Sequence, residues 1–222
     1  MATETALTTA ESKILNDLFS KYCHSFFDLS GYLCPKFHFM NQNTPTIKVL
    51  DKEFEIFISS ETIQETITNL ALRMTNDLQG KNPLFLVVLN GAFIFAADLL
   101  KQIKTDCQVS FVKLSSYVGT ETTSTVRELI GLDEVLHGRT VVIVEDIIDT
   151  GITMAETMSK LRKLEAKEVL LATLLFKPKA FRKDFQIDYV GIEIPNDFIV
   201  GYGLDYDGFG RNYPDIYKIV NH

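Results

Sequence analysis

The spacing of apolar positions changes character several times along this chain. SSETIQETITNLALRMTNDL (59–78) sets Ile63, Ile67, Leu70, Met74 and Leu78 on one face at helical spacing. PLFLVVLN (83–90) is apolar almost throughout and predicts a buried strand, with GAFIFAADLLKQI as the helix after it. QVSFVKLS (108–115) alternates as a strand does, and RTVVIVED (139–146) predicts another buried strand. A helix follows from about Gly151 to Leu164, with Met154, Met158 and Leu161 inward. EVLLATLLF, IDYVGIEI and FIVGYGLD predict further strands. This alternation predicts an α/β fold: a twisted, mainly parallel sheet flanked by helices on both faces. Such sheets bind ligands beyond the carboxyl ends of their strands, at a topological switch point, and VVIVED ends at that edge. SSYVGTETTSTV (115–126) is polar and poor in core residues, and predicts a long mobile loop.

Residues 1–46 follow a different pattern and predict an N-terminal extension before a domain spanning 47–222, with Pro45 at the boundary. Thr8 and Glu11 form a capping-box pattern. Ile14, Leu15, Leu18, Phe19 and Tyr22 then recur at helical spacing, followed by an aromatic, turn-rich stretch. Cys23, His24, Cys34 and His38 fall close together, but their spacing is not that of a usual zinc site.

Composition narrows the function. The chain has 222 residues, 46% of them hydrophobic, enough for one sizeable core. Its net charge is −7 and it has no dense Lys/Arg run, which argues against nucleic acid as a partner. No apolar run approaches the length of a membrane span. Three cysteines make no disulfide framework, and the first residues read as neither signal nor transit peptide, so a cytoplasmic protein is expected.

The chemistry concentrates in VVIVEDIIDTGITM (141–154), where a buried strand runs into Glu145, Asp146 and Asp149. Charge at the end of a core strand is costly without a task. Asp149-Thr150-Gly151-Ile152-Thr153 lies between strand and helix, where a glycine permits a tight turn and helix-start amides can seat a phosphate. Thr150 and Thr153 add hydroxyls. Glu145 and Asp146 beside a phosphate make sense if they contact sugar hydroxyls or hold Mg²⁺. A phosphate, a diol and a divalent ion within one ligand's reach describe a ribose 5-phosphate.

This stretch resembles the phosphoribosyl-diphosphate-binding motif of type I phosphoribosyltransferases, and EDIIDTG is most similar to the hypoxanthine(-guanine) phosphoribosyltransferases. VVLNGAFIFAADLL, LSSY, LLFKPK, IDYVGIEIPNDFIVGYGLDY and Arg211 resemble further family segments in order, over roughly residues 47–220. The resemblance implies that family's fold, with a small hood beside the sheet. It also implies transfer of a phosphoribosyl group to a 6-oxopurine, Mg²⁺ as cofactor, and a homodimer or homotetramer.

Residue by residue, the resemblance makes Asp149 the acceptor of the purine N7 proton and Glu145 and Asp146 the ribose and metal ligands. The backbone of Thr150, Gly151, Ile152 and Thr153 would hold the 5-phosphate. Lys177 would donate to the purine O6, Phe198 would stack on the base, and the Ile199 carbonyl would meet its edge. Asp205, on the purine side, would help hold a second Mg²⁺, and Arg211 would grip pyrophosphate. Asn90-Gly91 would bind pyrophosphate through its amides. The better-known members have a lysine before that glycine, within a non-proline cis peptide, so here the backbone role can survive and the lysine charge cannot. Ser116 and Tyr117 would begin a loop that closes over the reaction. Some proteins of this fold only sense phosphoribosyl diphosphate and regulate transcription, and that alternative remains open at this point.

Overall fold

The chain divides into two units, Met1–Gln42 and Asn43–His222. This computed structural model describes residues 46–116, 126–130 and 135–220, so the predicted extension, its helix, its Cys/His group and the Pro45 boundary lie outside the described residues. The second unit contains two sheets.

The larger sheet runs in the order β5-β4-β3-β6-β7-β8: β3 Leu84–Leu89, β4 Gln108–Ser116, β5 Val126–Ile130, β6 Thr140–Ile148, β7 Glu168–Phe176 and β8 Tyr189–Glu193. All pairings are parallel except β4 with β5. The chain moves from β3 outward to β4, then returns to place β6 on β3's other side, so the switch point falls between β3 and β6.

Among the described residues three helices cover this sheet: α1 Ser60–Asp77, α2 Phe93–Gln102 and α3 Ile152–Lys163. The strand residues alternate between two cores, as period-two geometry requires. Phe85, Val87, Val142, Val144, Ala172 and Leu174 pack with Ile63, Ile67, Leu70 and Met74 of α1 and with Phe95 and Leu99 of α2. Leu84, Leu86, Val88, Val141, Ile143 and Leu171 pack with Met154, Met158 and Leu161 of α3. β3 and β6 are therefore apolar on both faces, which is why their sequences show no alternation.

The second sheet is a small antiparallel hood, ordered β1-β2-β10-β9: β1 Thr46–Val49, β2 Lys52–Ile58, β9 Ile199–Val200 and β10 Ile216–Ile219. It has its own cluster of Val49, Phe54, Val200 and Tyr217.

Two expectations need correction. FIVGYGLD is not a full strand; only Ile199 and Val200 are, and they pair with β10 in the hood. Gly201, Tyr202 and Gly203 then take φ of 101°, 48° and 98°, a left-handed run that ends any strand. The 115–126 stretch is not wholly loop either. Ser115 and Ser116 close β4, and Val126 opens β5, which pairs with it. Residues 117–125, with Tyr117, lie outside the described residues.

Candidate active site

β6 extends two residues past its predicted end, because Ile147 and Ile148 pair with Leu175 and Phe176 of β7. Glu145 and Asp146 are thus held in the strand, and Asp149 is the first of the three acids beyond it. Gly151 turns the chain at φ 77° and opens α3, with no side-chain cap on the helix start. The amides of this helix start, of which that of Ile152 also reaches Thr150 Oγ1 at 3.5 Å, can face an anion. A hollow of about 150 Å³, lined by Glu145 and residues 147–154, lies at this turn.

An aromatic floor supports the turn, and the sequence reading missed it. A Cβ on Gly151 would lie 2.5 Å from Phe181 Cε2 and 3.3 Å from Phe185 Cζ. Phe181 is wedged edge-on between Phe176 and Phe185, at centroid distances of 5.3 and 5.1 Å. The Arg182 amide also donates to the Thr150 carbonyl at 3.2 Å. Two aromatics at i, i+4 after KPK were the available signal; only folding shows that they lie beneath Gly151.

Asp149 and Lys177 meet at the rim. Lys177 Nζ lies 3.8 Å from Asp149 Oδ2, with side-chain exposures of 12% and 53% respectively. The Lys177 amide donates to the Ile148 carbonyl at 2.9 Å, which places this residue at the end of β7 beside the loop.

Across the switch point, Asn90 and Gly91 follow β3, and the Leu89–Asn90 peptide is cis. A Cβ on Gly91 would stand 1.6 Å from Asp146 Oδ2, so only glycine lets these two groups approach. A Cβ on Gly203 would lie 2.1 Å from the Gly91 carbonyl oxygen. Arg211 pairs with Asp205 and donates from Nη1 to the Gly203 carbonyl, both at 2.6 Å. Asn90-Gly91, Asp146, Asp205 and Arg211 therefore belong to one packed group, joined through Gly203.

Phe198 and Ile199 stand on the hood. Phe198 is 43% exposed, which leaves its ring available to a ligand. It is propped by Phe54 at 6.1 Å and, edge-on, by Tyr206 at 5.6 Å. Ser116 ends β4.

Glu145 and Asp146 are only partly compensated by their neighbours. Glu145 Oε2 is buried without a hydrogen-bond partner. Burial, then the Asp146 charge, push Glu145 well above the usual carboxylate range. Burial also pushes Asp146 up to about 6, against the pull of the Ile147 amide and Arg211. Paired hard oxygen donors, one of them orphaned, suit a divalent cation. Among the described residues no three acidic, His or Cys side chains converge to enclose a metal, so substrate oxygens and water would complete its shell.

This imbalance has a measurable sign. The folded pKa of Asp146 lies above its unfolded value of about 4. Its contribution to stability is therefore full below about pH 4 and is lost as pH rises through about 6. Ligand-free Asp146→Asn should be more stable than the parent at pH 7.5, by about 1–3 kcal/mol. The gap should narrow as pH falls towards about 4, below which Asp146 is protonated in both states. Thermal unfolding of both across that range is the check, and a gap independent of pH would refute it.

The chain is similar to known proteins in sequence and fold. Residues 59–207 match the phosphoribosyl transferase domain family model. The chain is 41% identical over 164 residues to the hypoxanthine-guanine phosphoribosyltransferase of Bacillus subtilis, covering 73% of this chain and 91% of that one. It is 40% identical over 163 residues to the bifunctional protein TilS/HprT of Listeria monocytogenes, but spans only 25% of that protein's length. Among solved structures, the hypoxanthine phosphoribosyltransferase of Staphylococcus aureus superposes with a TM-score of 0.72 at 36% identity, over 75% of this chain and 91% of that one. The hypoxanthine-guanine enzyme of Bacillus anthracis gives 0.70 at 39%, over 75% and 97%. A match that runs from α1 through the Gly151 turn to the hood, at this identity, means that the chain belongs to the hypoxanthine-guanine phosphoribosyltransferase family.

Proposed function

We propose that this chain works in purine salvage, moving the 5-phosphoribosyl group of phosphoribosyl diphosphate to N9 of hypoxanthine or guanine. The products are IMP or GMP and pyrophosphate. The meeting of Asp149 and Lys177 at 3.8 Å carries the reading. N7 and O6 share one edge of a 6-oxopurine, so a base with N7 toward Asp149 offers O6 to Lys177. Adenine would turn an amino group toward the ammonium, donor against donor, and lose that contact.

The other roles follow from position. The amides of Thr150 to Thr153 bind the 5-phosphate, Thr150 and Thr153 adding hydroxyls. Asn90, Gly91 and Arg211 hold the diphosphate, with backbone amides standing in for the absent lysine charge. Phe198 stacks on the base, and the Ile199 carbonyl meets its edge. Ser116 and Tyr117 begin the segment that excludes water from a ribose with oxocarbenium character. Glu145, Asp146 and Asp205 would hold Mg²⁺, which when bound neutralises the departing diphosphate. As the C1–O bond lengthens, N9 attacks and Asp149 takes the N7 proton.

The low cysteine count and the family resemblance support a cytoplasmic homodimer or homotetramer, which sedimentation would test. No observation favours the regulatory alternative. The test of function is nucleotide formation from phosphoribosyl diphosphate, with Mg²⁺, offered hypoxanthine, guanine, xanthine and adenine in parallel. Turnover of a 6-oxopurine with adenine inert is expected; failure with all four bases would end the reading.

A further inference from the structure

The groups that face pyrophosphate are held by backbone packing, and that packing has an anchor outside the site. Gly201, Tyr202 and Gly203 form three consecutive left-handed residues. A run of this kind has no regular ladder to keep it in place. Gly203 nevertheless rests on the Gly91 carbonyl, and Arg211 is tied to it from both sides. The Gly203 amide donates to the Arg211 carbonyl at 2.9 Å, opposite the guanidinium bond to its own carbonyl. A shift of this run would move Arg211 and release Gly91.

Tyr202 holds the run. Its amide donates to the Tyr213 carbonyl at 2.8 Å, and its side chain is buried, at 4% exposure. Its hydroxyl donates to Asp98 Oδ2 at 2.6 Å and accepts from Gln64 Nε2 at 3.4 Å. Asp98 lies on α2, the helix that starts two residues after Gly91. Lys101 at 2.7 Å and Gln64 at 2.9 Å fix that carboxylate. Burial, then the bond to Asp98, push the Tyr202 phenol upward, so it remains a donor at working pH.

We infer that Tyr202, through Asp98, is a positioning residue for pyrophosphate, tying the left-handed run under Gly91 to the helix that Gly91 leads into. Tyr202 acts through its neighbours, because its buried hydroxyl is engaged by Asp98 and Gln64. It fixes the distance between the Asn90-Gly91 peptide and Arg211. The inference rests on the proposed function for the identity of the ligand. It predicts an effect on one ligand half only, because the 5-phosphate turn at 150–153 is held separately by Phe181.

Tyr202→Phe removes the hydroxyl and keeps the buried ring. Titration calorimetry with magnesium pyrophosphate should show affinity about 5- to 50-fold weaker than in the parent. Affinity for IMP, which engages the 150–153 turn, should change by less than about twofold. Asp98→Asn keeps an acceptor for the hydroxyl and should retain most of the parent's pyrophosphate affinity, whereas Asp98→Ala should reproduce the loss. A merely structural role would weaken both ligands together. Equal loss for IMP and pyrophosphate, or unchanged pyrophosphate binding in both Tyr202→Phe and Asp98→Ala, overturns the inference. If Tyr202→Phe unfolds too early to titrate, the Asp98→Asn and Asp98→Ala pair decides by the same readout. A parent protein that binds pyrophosphate but makes no nucleotide would defeat the functional reading alone, and the titrations would still decide for or against the anchor. A parent that does not bind pyrophosphate would defeat both.

Discussion

Asp149→Asn should lower kcat by about 10²- to 10⁴-fold, the usual contribution of a well-placed general base. The amide keeps the size and the hydrogen-bonding reach of the carboxylate but cannot accept a proton. Asp149 stands just beyond β6, half in solvent, and the asparagine amide oxygen can still face the largely buried Lys177, so the substitution should not perturb the fold. The Lys177 ammonium 3.8 Å away stays in place, and KM for the base should move by only a few fold. Rapid-quench measurement of the first turnover separates this chemistry from product release. An unchanged first-turnover rate would show that N7 loses its proton elsewhere and would remove Asp149 from the catalytic role.

Gly151→Ala should act as strongly, by a different route. At φ 77° an alanine costs about 1–2 kcal/mol by itself. Its methyl would also meet Phe181 Cε2 at 2.5 Å, and Phe181 is wedged between Phe176 and Phe185. Phe181 is half-buried and braced by a ring on each of two sides, so the clash is shared with a shift of the turn. The amides of 150–153 would then miss the 5-phosphate, and a misplacement near 1 Å can cost about 100-fold. KM for phosphoribosyl diphosphate and the Kd for IMP should both rise by about 30-fold or more, while magnesium pyrophosphate binds as before. This is the reverse of the pattern expected from Tyr202→Phe, so together the two variants test whether the ends of the substrate have separate supports. If Gly151→Ala binds IMP normally, the 150–153 turn is not the phosphate seat.

The parts of this protein written in consecutive residues were legible beforehand. β3, β6, α1 and α3 show their periods directly, and within residues 141–154 the chain itself joins strand, acids, turn and helix. The turn at Gly151 is itself a local feature, so the residues it gathers can be read from the chain. Even so, the strand end was placed two residues early, since only β7 across from it supplies the partners of Ile147 and Ile148. The hood was not legible strand by strand. β1 and β2 come from one end of the domain, and β9 and β10 from the other. A two-residue strand such as β9 has no period to read. FIVGYGLD looked like a strand because its apolar residues alternate; the left-handed conformation of Gly201 to Gly203 is stabilised by Tyr213, Arg211, Asp98 and Gly91, none of which is adjacent to it.

By itself, then, the sequence determined the α/β alternation, the glycine turn between β6 and α3, and the grouping of Glu145, Asp146 and Asp149 at the end of a buried strand. Those depend on local backbone preference and on burial patterns that repeat within one element. Tertiary structure alone decided that Asp149 meets Lys177, that Gly91 lies against Asp146 and under Gly203, and that Tyr202 is held by α2. Each of those contacts closes a long loop. Such closures are set by which strands lie side by side and by how closely backbone can approach backbone, and neither quantity is recorded in the periodicity of any one segment.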